Sequence, residues 1–225
     1  MTNFVNTAVN TSSLSTFTLS SSTLNNECLG VVLAGGLSSR MGRDKAQLLR
    51  GKKSLLSMLE FSKQTLIDSG IKNIVVSGDN YDVPDKVKLS GPVGGILSVL
   101  AKYPYAKSLL ILPVDLPFMT AKALADLRLK GELSQKATYF EGHNIPLYLP
   151  NNSYVELFLA QAFTKTSNNI GERSGLGTER QKKGPSIKAL LKQIPHQAIQ
   201  SSDVNILFNT NTPEQWQQAK QQFSF

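Results

Sequence analysis

The chain is short of several things, and each shortage closes a class of function. It holds one cysteine, Cys28, in 225 residues. That rules out an internal disulfide and any multi-cysteine metal site, and a reduced, cytoplasmic setting is the expectation that follows. No apolar run approaches the ~18–20 residues needed to span a bilayer. No membrane partner is expected. The N-terminus lacks the charged-then-apolar order of a secretory signal. Residues 1–27 also contain no arginine, which makes them a poor mitochondrial transit peptide. Rich in Ser, Thr and Asn, with one acid and no base, they read as a disordered tail. No basic run is interleaved with aromatic residues as a nucleic-acid stacking platform would be. No internal repeat is present.

What is there fits one sizeable α/β domain, over residues 28–225. The hydrophobic share of 40% is enough for a buried core. Twenty-four lysines and arginines against sixteen acids leave a net charge of +8, which favours an anionic partner. The bases are spread along the chain. Charge alone therefore leaves a small phosphorylated ligand level with nucleic acid.

Hydrophobic patterning predicts alternating strands and helices. Residues 28–34 form a short apolar run of the kind buried on both faces of a sheet. A helix fits 54–69, with Leu55, Leu56, Leu59, Leu66 and Ile67 on one face and Gly70 as its stop. Residues 74–76 read as a second strand, a helix follows Gly94-Gly95 to about Lys102, and 109–112 make a third strand. A helix over 120–130 starts from Thr120 as N-cap. Strand–helix–strand alternation with short links implies right-handed crossovers and a parallel sheet. Such sheets place ligands beyond the carboxyl ends of their strands, so the loops after Ala34, Val76 and Leu112 matter most. Further on, 138–140 and 146–149 read as paired strands around Glu141-Gly142-His143-Asn144. A helix fits 152–163, and 165–185 reads as a mobile basic loop. A short helix is expected at 187–191, a last strand at 205–208, and a last helix opening at Pro213.

The loop Leu33-Ala34-Gly35-Gly36-Leu37-Ser38-Ser39-Arg40-Met41-Gly42-Arg43-Asp44-Lys45 carries most of the chemistry. Bare glycines directly after a strand let backbone N–H groups approach phosphate oxygens. Arg40 and Lys45 add two cations suited to a triphosphate. The loop is neither a Walker loop nor a G-x-G-x-x-G dinucleotide turn. Asp115 follows the third strand between Pro113 and Pro117, which stiffen the turn. A carboxylate there suits Mg²⁺, although a turn or helix-capping aspartate would look the same.

The loop resembles the L-A-G-G-x-S-x-R-M-G-x-D-K segment of the molybdenum cofactor guanylyltransferases at every specified position. Three further segments resemble that family in the same order: Gly91-Pro92-Val93-Gly94-Gly95, Pro113-Val114-Asp115-Leu116-Pro117 and Asn209-Thr210-Asn211-Thr212-Pro213. The likeness spans about residues 30 to 220. It implies a Rossmann-like, three-layer nucleotidyltransferase fold, a mostly parallel sheet with helices on both faces. It also implies Mg²⁺-dependent transfer of GMP from GTP to the phosphate of molybdopterin. Lys45, Arg40 and Asp115 take the family's catalytic positions, with Asp115 also the metal ligand. Leu33, Ala34, Gly35 and Gly36 lie beneath the nucleotide.

Ser77 falls where the family often has asparagine. Asp85 matches a second nucleotide-contacting acid, with Asp82 as a rival because the chain is shorter there. His143, Asn209 and Asn211 are candidates for the acceptor side; a turn histidine and turn- or cap-forming asparagines are the plainer reading of those three. The resemblance further implies partners among proteins that supply molybdopterin or receive the finished cofactor. Nothing is carried over to Lys165, Arg173, Arg180, Lys182 or Lys183 in the basic loop. A cytidylyltransferase of the same fold is the nearest rival, and Gly36 argues against it, because cytidylyl relatives usually read L-A-A-G. A GTP-binding module without turnover is disfavoured by the presence of both Lys45 and Asp115. Nucleic-acid binding comes third.

Overall fold

A computed structural model describes residues 27–35, 44–50, 56–88, 90–167 and 184–223. Residues 1–26 of the predicted N-terminal tail, Gly36, Arg40, Leu55 and most of the basic loop lie outside the described residues.

Six strands form one sheet in the order β2-β1-β3-β5-β4-β6. They are β1 (Cys28–Leu33), β2 (Ile74–Ser77), β3 (Ser108–Pro113), β4 (Ala137–Phe140), β5 (Leu147–Pro150) and β6 (His196–Ile199). β1 runs parallel to β2 and β3, and β4 parallel to β6. Only β5 runs against its neighbours, because it returns from the tight turn at 141–146. The sheet is therefore mixed but mostly parallel.

Successive residues of each central strand face opposite sides, and both sides are covered. Leu29, Val31, Leu33, Leu109 and Ile111 pack in one apolar cluster with residues of α2 (Gly91–Lys102), α4 (Ser153–Ser167) and α5 (Ile187–Leu191). Val32, Val76, Leu110 and Leu112 pack in the other with α1 (Met58–Asp68) and α3 (Ala121–Ser134). That explains why β1 and β3 are apolar at nearly every position rather than alternating. The final helix, α6 (Pro213–Gln222), buries Trp216 and Ala219.

Local signals set most element ends. Ser57 caps α1 in a reciprocal capping box with Glu60, so the helix begins three to four residues after the predicted start. Gly70, with φ of +87°, ends it. Thr120 caps α3 as expected, and Pro213 occupies the first turn of α6 behind a Thr212–Gln215 capping box. Several expectations are corrected. The buried side of α1 is Met58, Ser62, Thr65 and Leu66, whereas Ile67 and Leu56 are exposed. α2 starts at Gly91, so the glycine pair lies inside its first two turns rather than ahead of it. α3 and α4 both run four residues beyond the predicted ends. Residues 205–208 are not a strand: Val204–Leu207 is a 3₁₀ turn capped by Asp203, and the last strand is β6, which was not expected.

Candidate active site

The parallel registers set Leu33 beside Ser77 on one side and Pro113 on the other. The three carboxyl ends therefore open onto one cleft. The backbone of β1 continues into it under control: Ala34 N–H and Gly35 N–H both donate to Ser77 O, at 2.9 and 3.1 Å. Val114 N–H donates to Leu33 O at 3.3 Å.

On the β2 side the cleft floor has no room for side chains. A Cβ on Gly78 would stand 3.0 Å from Gly35 N, and one on Gly35 would stand 3.3 Å from Gly78 Cα. Gly78 also has a φ of +152°, which side-chain-bearing residues rarely adopt. A Cβ on Gly95 would meet Ser77 Oγ at 2.8 Å and lie 3.8 Å from Asp85 Oδ1. Asp85 Oδ2 lies 3.7 Å from where a Gly35 Cβ would be. Asp85 thus stands over Gly35, Ser77 and Gly95. Burial, then the nearby Asp79, pushes its carboxyl pKa above the ordinary value.

Asp82, the rival acid, is used elsewhere. Its Oδ2 accepts from Val76 N–H at 2.9 Å, which satisfies a donor on the outer edge of β2. Its carbonyl accepts from Lys102 Nζ at 2.7 Å. The two acids that spacing alone left open stand in different places, Asp82 at β2 and Asp85 over Gly35 and Gly95.

On the β3 side stands Asp115. Its carbonyl accepts from both Thr210 N–H, at 3.0 Å, and Thr210 Oγ1, at 3.1 Å. This ties the turn to the 209–213 segment. Lys45 Nζ lies 3.5 Å from Asp115 Oδ2 and donates to Asn211 Oδ1 at 2.9 Å. Three predicted residues from three distant segments therefore meet. The carboxylate is mostly buried, with 18% of its side chain exposed, and its Oδ1 has no hydrogen-bond partner among the described residues. Burial raises the carboxyl pKa, and the Lys45 ammonium only partly opposes that. Asn209 Oδ1 is likewise buried without a partner among the described residues.

A buried polar atom with nothing to bond is costly and calls for an explanation. Hard oxygen donors suit Mg²⁺, which is commonly held by one or two carboxylates together with substrate phosphates. No group of three or more His, Cys, Asp or Glu gathers among the described residues, so a protein-only cage is not what this donor set offers. One open carboxylate oxygen beside a lysine fits a metal shared with a phosphorylated ligand.

His143 lies in the β4–β5 turn, closed by His143 N–H donating to Phe140 O at 2.9 Å. The turn is at the same edge of the sheet, since Leu147 pairs with Ile111. No contact joins His143 to Lys45 or Asp115 among the described residues.

Some residues of the site were not singled out from sequence. Asp44 Oδ1 caps the 3₁₀ turn Lys45–Gln47, and its Oδ2 accepts from Tyr81 Oη at 2.9 Å. Tyr81 thus latches the loop after β2 to the segment bearing Lys45. Thr210 and Gly78 complete the list. Gly78 could have been suspected from its place just after a strand; Tyr81 carries no local signal.

Beyond the carboxyl ends of parallel strands, glycines clear a floor, and a lysine faces a carboxylate with one open oxygen. That combination belongs to α/β proteins that handle phosphorylated ligands. Residues 30–163 match the MobA-like NTP transferase domain, and the chain belongs to that family. A molybdenum cofactor guanylyltransferase of Xanthomonas euvesicatoria pv. vesicatoria (strain 85-10) is 32% identical over 199 residues, which span 86% of this chain and 95% of that protein. Among solved structures, molybdopterin-guanine dinucleotide biosynthesis protein A from Archaeoglobus fulgidus is similar at a TM-score of 0.59. It is 17% identical and covers 87% of this chain and 98% of its own. A 2-C-methyl-D-erythritol 4-phosphate cytidylyltransferase from Thermus thermophilus gives 0.55 at 12% identity, covering 88% of this chain and all (100%) of that one. At those identities the two structures share the fold, a mixed sheet sandwiched by helices.

Proposed function

We propose that residues 28–225 act as one unit that transfers GMP from GTP to the terminal phosphate of molybdopterin. The product is the guanine dinucleotide form of the molybdenum cofactor, and pyrophosphate leaves. The observation that carries this reading is the meeting of Lys45 with Asp115, whose second oxygen has no partner among the described residues, in a chain so similar along its length to a molybdenum cofactor guanylyltransferase.

In this reading the triphosphate lies along Leu33, Ala34, Gly35 and Gly36 and reaches Lys45. The bare backbone there admits phosphate oxygens closely. Asp85, standing over Gly35 and Gly95, contacts the nucleoside together with Ser77. An acceptor phosphate oxygen bonds to the α-phosphorus, and the bond from that phosphorus to the β-phosphate oxygen breaks in line. Lys45 and Arg40 hold the charge that builds on the phosphate oxygens. Asp115 would hold Mg²⁺, and the bound ion would supply positive charge against the phosphates. The acceptor phosphate is already ionised at neutral pH, so no side chain has to remove a proton. Asn211, which steers Lys45, together with Asn209 and His143, faces the acceptor side. Proteins that supply molybdopterin or take up the product are the expected partners. The reaction belongs in the cytoplasm, where the Cys28 thiol stays reduced. No helix among the described residues is long and apolar enough to cross a membrane.

Calorimetric titration with GTP and with CTP in Mg²⁺ tests the proposal, repeated on Asp115→Ala and Lys45→Ala. GTP should bind in preference to CTP, and both substitutions should weaken it. CTP preference would move the chain to a cytidylyl activity on the same fold. Binding of neither would sink the phosphate-loop reading.

A further inference from the structure

Arg50 plays no part in the reading above, yet its side chain joins three segments that frame the site. Its Nε donates to Pro117 O at 2.9 Å. Its Cζ lies 4.1 Å from the ring centroid of Phe61 on α1 and 4.5 Å from that of Phe223 after α6. Phe223 packs on Phe118 with centroids 4.9 Å apart, and Phe118 on Phe208 at 6.0 Å. The guanidinium is thus held between two rings with one N–H directed at the loop that bears Asp115.

That loop needs outside support. Pro113 and Pro117 have no N–H, so it makes few hydrogen bonds of its own. It is pinned before and at Asp115 by Leu33 O and Thr210, and after Asp115 by Arg50. The two rings attract the guanidinium, but that attraction does not require a donor aimed at Pro117. An apolar side chain of the same length would fill the space between the rings without the cost of removing a charge from water, a cost reflected in the lowered pKa of Arg50. What arginine adds, besides attraction to the two ring faces, is a directed donor at a fixed place.

We propose that Arg50 is a positioning residue whose Nε–H, donated to the Pro117 carbonyl, sets the Asp115 carboxylate for binding the metal–nucleotide pair. This rests on Asp115 being the metal-binding carboxylate of the proposed function. Two substitutions of similar length separate the donor from the packing. Arg50→Gln places an amide nitrogen the same number of bonds from the backbone as Nε, and Arg50→Met has no donor. Both lose the stacked guanidinium.

The measurement is the Mg²⁺ concentration that half-saturates GTP binding by calorimetry, with Mn²⁺ alone as a second probe and the Tm of each variant alongside. Arg50→Met should raise the Mg²⁺ requirement about five- to tenfold. Arg50→Gln should stay within about twofold of the wild type, with the Tm of the two variants alike. If the two variants shift together, or neither shifts, the carbonyl contact does not position Asp115 and the proposal is wrong. If the wild type shows no Mg²⁺-dependent GTP binding, or Asp115→Ala binds as the wild type does, the proposed function fails and this inference falls with it. That failure shows without any Arg50 variant.

Discussion

At the amino-terminal ends of β1 and β3 a cavity of about 450 Å³ is lined by Glu27, Cys28, Lys72, Ser108, Arg128 and Glu132, among others. At the carboxyl ends of the same strands lie Lys45, Asp85 and Asp115. Both ends collect charge, but they spend it differently. At the amino-terminal end Lys72 pairs with Glu27 at 3.1 Å, and Arg128 donates from Nη1 to Gly70 O at 3.0 Å. The Arg128 Nε, buried without a hydrogen bond, still faces Glu132 at 3.5 Å. Burial, the largest influence there, pushes the Cys28 thiol up from 9.0 to about 11, which keeps its thiolate fraction low at neutral pH. At the carboxyl-terminal end Asp115 keeps a buried oxygen with no hydrogen-bond partner among the described residues, its lysine included. A roomy polar cavity is thus a weaker sign of function than a carboxylate held where it costs stability.

The comparison breaks most readily at Asp115. Asp115→Asn should lower the rate of pyrophosphate release with GTP and molybdopterin about a hundredfold or more. The same change should raise the Tm of the metal-free protein at neutral pH. Folding raises this carboxyl's pKa above its ordinary 3.8, so the native state holds the proton to higher pH than the unfolded chain does. Stability is then lost as pH rises from 3.8 through the native value. The advantage of Asp115→Asn should therefore vanish below pH 3.8. A Tm at neutral pH lower than that of the wild type would contradict the reading.

At the other end, iodoacetamide labelling of Cys28 at pH 8 should be about a hundredfold slower in the native protein than in urea, following the thiolate fraction. Comparable rates would mean that this end is reactive after all. Tyr81→Phe removes the latch to Asp44 and should raise the KM for GTP by about two- to fivefold, with Tm nearly unchanged. An unaltered KM would show that Asp44 and Lys45 hold their place without it. The smallest effect is expected from Glu132→Gln. It disturbs a partly exposed i,i+4 pair far from Lys45 and Asp115 in the fold, and should leave the activity within about twofold of the wild type. A larger loss of activity would make the amino-terminal cavity part of the function.

The elements that sequence foretold well are those with strong local chemistry. β1 and β3 announce themselves because both faces are buried, and Thr120, Gly70 and Pro213 mark helix ends by capping physics that acts within one turn. The failures are equally physical. Asn205–Phe208 reads as a strand because four consecutive residues are largely apolar, yet Ile206 and Leu207 are buried from a 3₁₀ turn that Asp203 initiates. β6 was missed because His196-Gln197-Ala198-Ile199 is a half-exposed edge strand whose partner, β4, lies far off in the chain. The exposed Ile67 on α1 shows tertiary packing choosing a face that periodicity had drawn one residue too wide.

The sequence by itself determined the chemistry of the separate loops: glycines after a strand, Lys45 on the same segment, Asp115 between two prolines. Each depends on neighbours within a few residues, where backbone preference and side-chain type act directly. Only the tertiary structure decided that Lys45 would reach Asp115 across 70 positions and Asn211 across 166. It also decided that Asp82 would be spent on β2 while Asp85 stands over the cleft floor. Those outcomes follow from sheet register and helix packing, which bring distant segments within ångströms of each other. No local propensity encodes such distances.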